Sequence, residues 1–289
     1  MGMKTSRLTD ADPVLMVRSV FGSMTKTEQK VAQIALHDPE FFMFATVTDV
    51  SERAGVGETT VIRFCRKVGF RGLQEFKLAI AQHLAHPEAP AYGSVELSDS
   101  LETALEKIAT YDVQTLRDTA KLLHIDSVRT AAARMLKARC VYVFGVGSSG
   151  MTARDLEHRL MRVGVPAHSE YDPHVIAMLS ALTGPEDVVV GISASGSTKD
   201  LIDALTVARR NCPFIVCITN HARSPITHLV DVALLTAARE TPLQGGALGT
   251  KIAQMYVLDA LTSAIALADR GRAAAAVEKT AEAVVDKLL

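Results

Sequence analysis

The chain has 289 residues and a formal net charge of −1 at pH 7; 48% of its residues are hydrophobic and 22% are charged. This composition excludes a chain held open by its own charge and predicts a globular protein, and the length favours two domains of unequal size over one core. No uncharged apolar run approaches the roughly 18 residues of a membrane span, and the N-terminus lacks a secretory pattern, so we expect a cytoplasmic protein with no membrane partner.

Helical patterns fill the first 86 residues, beginning with a short helix around residues 14–21. Thr25 and Glu28 have the spacing of a capping box, and the apolar spacing that follows predicts a helix to about His37. Asp38-Pro39 ends this helix, and the Phe-Phe-Met-Phe run at 41–44 is expected to form an aromatic plug. Three more helices are predicted over residues 48–53, 58–67 and 72–85.

Residues 48–67 have the spacing of a helix-turn-helix, a pair of short helices that cross at a tight turn. Gly55 lies at the turn, where a positive φ is expected, and Ser51 is small where the helices cross. The positions that this motif buries hold Val50, Ala54, Val56, Val61 and Phe64. Five basic and two acidic residues lie within 57–77 of a nearly neutral chain, which is typical of a nucleic-acid footprint. The alternative is an ordinary helix pair with a solvated basic face.

The second helix of such a motif enters the major groove of double-stranded DNA with its N-terminal end. With Val61 and Phe64 facing the core, we predict that the outward side chains and the basic residues after them contact DNA. These residues are Glu58, Thr59, Thr60, Arg63, Arg66, Lys67 and Arg71. Arg63 is the candidate for a guanine, and the later basic residues suit the phosphate backbone. Gly57 precedes the helix and is a weaker cap than serine.

A connection at 87–100, containing prolines and a glycine, separates a DNA-binding domain (1–86) from a second domain (101–289). Helices are predicted over residues 101–123 and then to about Lys137, the second capped by Asp126. Short β-branched runs alternate with helix-length segments at residues 141–144, 188–192, 214–218 and 232–235. Strands that are apolar on both faces predict an α/β domain with a parallel sheet flanked by helices, and an alanine-rich helix over 273–289 closes the chain.

Cysteine and histidine spacing predicts neither a metal site nor a cofactor. The four cysteines, Cys65, Cys140, Cys212 and Cys217, lack C-x-x-C spacing and are predicted to be buried thiols. The histidines likewise lack the spacing of zinc ligands.

Two turns rich in glycine and serine follow predicted strands of the second domain. Residues 145–150 satisfy G-x-G-x-x-G and open a helix at about Met151, which permits a nicotinamide-dependent oxidoreductase with Glu170 or Asp172 on the ribose. The second turn, at 193–198, favours another interpretation, because such an enzyme has no need of it. Hydroxyls and helix N-terminal amides at two strand ends predict a phosphate site that requires neither a metal nor a lysine.

The two turns, Gly147-Ser148-Ser149-Gly150 and Ser193-Ala194-Ser195-Gly196-Ser197-Thr198, resemble those of the sugar isomerase (SIS) domain. Joined to the segment at 61–70, they make the chain similar to the RpiR family of bacterial transcriptional regulators. The resemblance implies that serines and a threonine of the two turns hold the phosphate of a sugar and that the loop at 240–246 approaches the sugar end. The ligand residues that it implies are Gly147, Ser148, Ser149, Ser193, Ser195, Gly196, Ser197, Thr198 and Glu240. Gly57 and Lys251 depart from the family pattern, in which serine and arginine are commoner.

This resemblance implies a DNA-binding transcriptional regulator, more specifically a repressor of sugar-metabolism genes, acting on a palindromic operator as a homodimer or homotetramer. A phosphorylated sugar bound in the second domain would control the affinity for operator DNA. The alternative is a catalytically active sugar-phosphate isomerase, with Glu240, His174 and His221 as candidates for proton transfer. No catalytic residue is assigned, because spacing alone identifies no paired acid and base.

Overall fold

The computed structural model describes residues 12–85, 95, 98–211, 214–238 and 247–285. The chain divides into two compact units, residues 1–93 and residues 94–289.

The first unit is entirely helical in its described residues. Its helices are α1 (Pro13–Phe21), α2 (Lys26–His37), α3 (Pro39–Phe44), α4 (Val47–Ala54), α5 (Glu58–Val68) and α6 (Leu73–Ala85). The predicted capping box at the start of α2 is confirmed, since the Glu28 carboxylate accepts from the Thr25 amide at 2.9 Å and the Thr25 hydroxyl accepts from the Glu28 amide at 3.3 Å. A second capping box, Thr46 with Asp49, begins α4.

Aromatic rings form the centre of this helical unit. Phe42, Phe64 and Phe76 are fully buried, and the Phe76 ring meets each of the other two edge-on at 5.4 Å between centroids. The expected aromatic plug is wrong for Phe44, which is 81% exposed. Residues two apart on a helix point to nearly opposite sides, so burial of Phe42 in α3 turns Phe44 toward solvent.

The second unit is a five-stranded sheet covered by helices on both faces. Its helices are α7 (Leu101–Leu122), α8 (Ile125–Lys137), α9 (Ser148–Arg162), α10 (Pro173–Leu182), α11 (Lys199–Ala208), α12 (Ala247–Ala268) and α13 (Arg270–Glu282), with a 3-10 turn at Pro225–His228. Its strands are β1 (Val141–Gly145), β2 (Ala167–Glu170), β3 (Val188–Ile192), β4 (Phe214–Thr219) and β5 (Val232–Leu235). Every pair is parallel, in the order β2-β1-β3-β4-β5. The predicted fold class is confirmed.

The central strand β3 is buried on both faces, as its continuous apolar sequence predicts. Val188, Val190 and Ile192 join the core formed with α8, α9 and α12, whereas Val189 joins the core formed with α10 and α11. Because helices cover both faces of the sheet, a ligand site is expected at the ends of the strands.

Three local predictions differ from the structure. The edge strand β2, with the sequence Ala-His-Ser-Glu, was not predicted, because it is only partly buried and carries no apolar run. Asp126 does not cap α8: His124 is the N-cap residue, and the Asp126 carboxylate instead pairs with Arg129 at 2.5 Å. The last helix begins earlier than predicted, at Arg270 after the Asp269 cap, and ends at Glu282; residues 286–289 lie outside the described residues.

One helix, over residues 249–268 of α12, is long and apolar enough to cross a membrane by length and composition alone. Single helices of this kind are weak indications, because core helices share the same composition. Val257, Leu258 and Leu261 of this helix are fully buried in the core beside the sheet, which accounts for its apolar character.

Candidate DNA interface and effector site

The predicted helix-turn-helix consists of α4 and α5. Gly55 ends α4 with φ 61° and ψ 47°, a left-handed conformation that favours glycine, as predicted. Across the turn, the Thr48 hydroxyl donates to the Glu58 carboxylate at 2.6 Å and links the two helices. Among the predicted core positions Val50, Ala54, Val61 and Phe64 are buried, whereas Val56 is only half-buried. The pair is thus fixed by core packing and by one interhelical hydrogen bond.

The outer face of α5 carries most of the side chains predicted to contact DNA. Glu58, Thr59, Arg63 and Arg66 are exposed on α5, and Arg71 is exposed beyond its C-terminal end. Gly57 is the N-cap residue and makes no side-chain cap, as predicted. The amides of the first turn consequently lack a side-chain acceptor at the end of the helix that enters a groove.

The expectation that Thr60 points outward is wrong: it is 7% exposed. Thr60 lies one position before Val61 and four before Phe64, both fully buried, on the side of α5 that packs inside the unit. The Arg63 guanidinium lies 3.5 Å from the Thr60 hydroxyl, so Thr60 contacts the charged end of a predicted DNA-binding side chain.

The expectation that Lys67 points outward is also wrong. Its ammonium lies 3.1 Å from the Glu28 carboxylate on α2 and also donates to the Ser23 carbonyl. The Glu28 side chain is only 7% exposed and needs a counter-charge, which Lys67 supplies. Burial alone would raise the pKa of Glu28, but hydrogen bonds from Thr25 and Lys67 outweigh it and lower this pKa. Lys67 therefore joins α5 to α2.

The two glycine- and serine-rich turns leave adjacent strands of the sheet. In the β1–β3 pair, Gly145 lies opposite Ile192, so both strands end at the same level. The chain passes from β1 to β2 on one side and returns to β3 on the other, which makes this point the switch in strand order. In open parallel sheets, ligands bind in the crevice at such a switch point.

The first turn leads directly into α9. This helix begins at Ser148, three residues before the predicted Met151, because Gly147 is its N-cap residue with φ 62° and ψ −129°. That conformation is available to glycine at no steric cost. Ser148 is exposed and Ser149 is 9% exposed, and the cap makes no side-chain hydrogen bond. The N-terminus of a 15-residue helix thus lies at the switch point without a side-chain cap, an arrangement that suits an anion, although the Gly150 amide already donates to the Gly147 carbonyl at 3.0 Å.

The second turn is shaped by its own hydroxyls. Ser193, 2% exposed, lies 2.9 Å from the Thr198 hydroxyl and accepts from the Gly196 amide at 3.1 Å. The Ser195 hydroxyl accepts from the Ser197 amide at 3.2 Å. Ser195 and Ser197 are exposed at the top of the turn. Ser193 and Thr198 therefore hold the shape of the turn. Ser195 presents its hydroxyl to solvent, whereas the exposed Ser197 hydroxyl donates to the Ser195 carbonyl at 3.3 Å.

A lysine lies beside the first turn, in contrast to the expectation of a site built without one. The Lys251 ammonium of α12 donates to the Ser148 carbonyl and lies 2.5 Å from the Thr152 hydroxyl. Burial lowers the pKa of Lys251. Thr152 in turn donates to the buried Gln254 at 2.6 Å. Spacing could not reveal this contact, since Lys251 is 103 residues from Ser148; the only signal was its departure from the family pattern.

The candidates for proton transfer do not form a group in the described residues. His174 is exposed in the first turn of α10, which Asp172 caps by accepting from the His174 and Val175 amides at 2.9 and 3.1 Å. His221 is half-buried beyond the end of β4. Glu240 and its loop lie outside the described residues.

Glu170, one of the two candidates for contact with a ribose, is hydrogen-bonded to the backbone that follows it. The Glu170 carboxylate accepts from the Tyr171 and Asp172 amides at 2.8 and 3.0 Å.

Cys65 and Cys217 are buried, and burial raises the pKa of each thiol to about 12; Cys140 is half-buried and Cys212 lies outside the described residues. Across the described ranges, no group of three histidine, cysteine or acidic side chains could hold a metal ion.

Comparison with known proteins places both units. The sequence model of the helix-turn-helix domain of the rpiR family matches residues 14–87, and that of the SIS domain matches residues 134–264. An uncharacterized HTH-type transcriptional regulator of Haemophilus influenzae is 32% identical over 275 residues, covering 94% of this chain and 96% of the relative. The chain belongs to the RpiR family. It is an HTH-type transcriptional regulator with a SIS domain, and its helix-turn-helix implies DNA binding.

A curated relative and a solved structure are similar to this chain over nearly its whole length. RpiR of Escherichia coli is 27% identical over 263 residues, covering 91% of this chain and 88% of the relative. The structure of the Vibrio vulnificus NanR protein complexed with ManNAc-6P superposes with a TM-score of 0.61 at 29% identity, covering 96% of this chain and 99% of NanR. The sugar isomerase domain of an RpiR transcription factor from Sphaerobacter thermophilus, at a TM-score of 0.56 and 24% identity, shares the fold of the second unit.

Proposed function

We propose that this RpiR-family protein is a repressor of sugar-metabolism genes that binds a palindromic operator as a homodimer or homotetramer. A phosphorylated sugar bound at the switch point between β1 and β3 controls its affinity for DNA. The observation that carries the proposal is the position of two hydroxyl-bearing turns at this one crevice, with Lys251 beside the first.

The chemistry of this crevice suits a phosphate monoester. Amides at the start of α9 and the exposed hydroxyls of Ser148 and Ser195 can donate to phosphate oxygens, and the Ser197 hydroxyl can do so by leaving the Ser195 carbonyl. The Lys251 ammonium adds a positive charge next to the helix N-terminus, where the macrodipole also favours an anion. Ser193 and Thr198 support the second turn from inside, and Ser149 lies largely buried at the start of α9.

The sugar portion of the ligand is proposed from a relative. The NanR structure, which covers 96% of this chain, is complexed with ManNAc-6P. A hexosamine phosphate of this kind is therefore the first compound to test, followed by pentose and hexose phosphates. Glu240, in the loop proposed to approach the sugar end, is the candidate for contact with the sugar hydroxyls.

Control of DNA binding requires that the ligand interacts differently with two arrangements of the chain. We therefore measure the affinity of the full chain for intergenic DNA flanking its own gene by fluorescence anisotropy, with and without each sugar phosphate. ManNAc-6P or a related compound is expected to change this affinity, with a coupling of about 5- to 150-fold. Equal DNA affinity at saturating concentrations of every sugar phosphate that binds contradicts the proposal.

Ser195→Ala separates the two roles of the chain. It is expected to abolish the response to sugar phosphate while leaving DNA affinity unchanged, since Ser195 presents its hydroxyl at the proposed site and lies outside the DNA-binding unit. Ser263→Ala, an exposed serine on α12, is the matched control and keeps the full response. A wild-type response in Ser195→Ala removes this turn from the site.

The rival proposal, an active sugar-phosphate isomerase, makes a different prediction. It requires turnover of an aldose phosphate that Glu240→Gln abolishes. We expect no turnover, in keeping with relatives named as transcriptional regulators. Turnover by wild type that is lost in Glu240→Gln would overturn the assignment of this domain as a sensor only.

A further inference from the structure

Helix α7 carries an apolar stripe on its exposed side. Leu101, Leu105, Val113 and Leu116 are 70%, 57%, 48% and 36% exposed, and the alanines between and after them, Ala109 and Ala120, are exposed as well. These six residues recur at steps of four, four, four, three and four, the spacing of one helix face. The opposite side, with Tyr111, Thr115 and Thr119, is buried in the second unit. The stripe runs along nearly all 22 residues of the helix.

Exposed charges flank this stripe in an ordered way. Glu102 and Glu106 lie along one side in the N-terminal half of α7, and Arg117 and Lys121 continue the same side in the C-terminal half. One flank of the stripe is therefore acidic at one end and basic at the other.

We infer that the stripe of α7 binds the same stripe on a second copy of this chain, with the two helices antiparallel about a two-fold axis. An axis at the level between Tyr111 and Asp112 brings Glu102 level with Lys121 of the second copy, and Glu106 level with Arg117. The same register sets Leu105 between Leu116 and Ala120 of the second copy, so that the large Leu105 side chain lies beside the small Ala120. The two charged pairs and the two apolar contacts each occur twice about this one axis, as an isologous interface requires.

The charges also argue against other occupants. In a parallel pair about a two-fold axis the charged flanks of the two α7 helices lie on opposite sides of the contact, so Glu106 of one copy does not meet Arg117 of the other. The order of charges along α7 is complementary to itself in an antiparallel pair, which favours a second copy of this chain over an unrelated partner. The self-complementary flank therefore selects an antiparallel copy of α7, independently of the proposed effector site.

Charge reversal tests both the surface and the register. The mass of the full chain is measured by sedimentation velocity over a range of concentrations, without DNA or sugar phosphate, so that neither DNA binding nor the proposed effector site enters the result. Glu106→Lys and Arg117→Glu are each expected to raise the dissociation constant of the assembly about tenfold or more, and E106K/R117E is expected to restore it. Glu278→Lys, the same reversal on exposed α13, is the control and leaves the mass distribution unchanged.

Leu105→Asp tests the apolar part and is expected to halve the mass of the assembly. Since Leu105 is 57% exposed, the fold tolerates the change, and circular dichroism checks this. A wild-type mass for both Glu106→Lys and Leu105→Asp overturns the surface, as does a monomeric wild-type chain at all concentrations. Weakening by the single reversals without rescue by the double reversal overturns the antiparallel register.

Discussion

The Lys67 ammonium lies 3.1 Å from the Glu28 carboxylate and so anchors the helix predicted to enter DNA to the helix behind it. Glu28→Gln leaves this half-buried ammonium without a counter-charge and is expected to destabilise the DNA-binding unit by about 1–3 kcal/mol at pH 7. Hydrogen exchange at the amides of α5, followed as a function of urea concentration, measures the free energy of unfolding of this unit alone. Glu52→Gln, on the exposed side of α4, is the matched control and has little effect.

The same ion pair predicts a pH dependence. The pKa of Glu28 is lowered on folding, so its stabilising contribution is complete above the unfolded-state pKa of about 4.5 and is lost as pH falls through the lower, folded-state value. The stability of wild type is therefore expected to decline below about pH 5 more steeply than that of Glu28→Gln. Identical pH profiles for the two proteins between pH 6 and pH 3 would show that this carboxylate does not contribute.

The burial of Thr60 beside exposed Thr59 separates DNA contact from stability. Arg63→Ala is expected to weaken DNA binding by about 1–3 kcal/mol, as expected for loss of an arginine at a base edge, without changing the response to sugar phosphate. Thr59→Ala should weaken DNA binding more mildly. Thr60→Ser, a buried change that keeps the hydroxyl beside the Arg63 guanidinium, should lower the unfolding midpoint but not DNA affinity; anisotropy titrations at one salt concentration compare all three. Loss of DNA affinity in Thr60→Ser alone would reverse this assignment.

Most elements of both units could be predicted from sequence because periodicity and caps are local signals. The capping box at Thr25 and the all-apolar strand β3 are examples, since each is determined by a few neighbouring side chains. The edge strand β2 was missed because partial burial leaves no apolar run. Contacts between distant residues were also missed: Lys67 with Glu28, and Lys251 with Ser148. Such pairs depend on tertiary packing, which spacing along the chain does not encode.

The weak cap of α5 predicts a stabilising substitution. Gly57 has φ −77° and ψ 152°, and a β-carbon built there has Thr59 Oγ1 at 3.8 Å as its nearest neighbour, so serine fits and can accept from the first-turn amides. Gly57→Ser is expected to raise the free energy of unfolding by about a few tenths of a kcal/mol. Gly55→Ser, at φ 61°, is the contrasting control and should destabilise by about 1 kcal/mol. Urea unfolding of both variants measures the difference, and equal effects would contradict the proposed role of the cap.

Lys251 should contribute a charge to the effector site. Lys251→Met is expected to weaken sugar-phosphate binding about 10- to 100-fold, the loss typical of one charged hydrogen bond, whereas Lys251→Arg keeps the charge and most of the affinity. Burial lowers the pKa of Lys251. As pH rises, the wild-type protein should therefore lose ligand affinity at a lower pH than it would if this lysine had an ordinary pKa. The ligand affinity of Lys251→Arg should not change over that pH range, because its guanidinium remains charged. Calorimetric titration with ManNAc-6P at several pH values measures these affinities, and equal affinity of wild type and Lys251→Met would exclude a role in binding the phosphate.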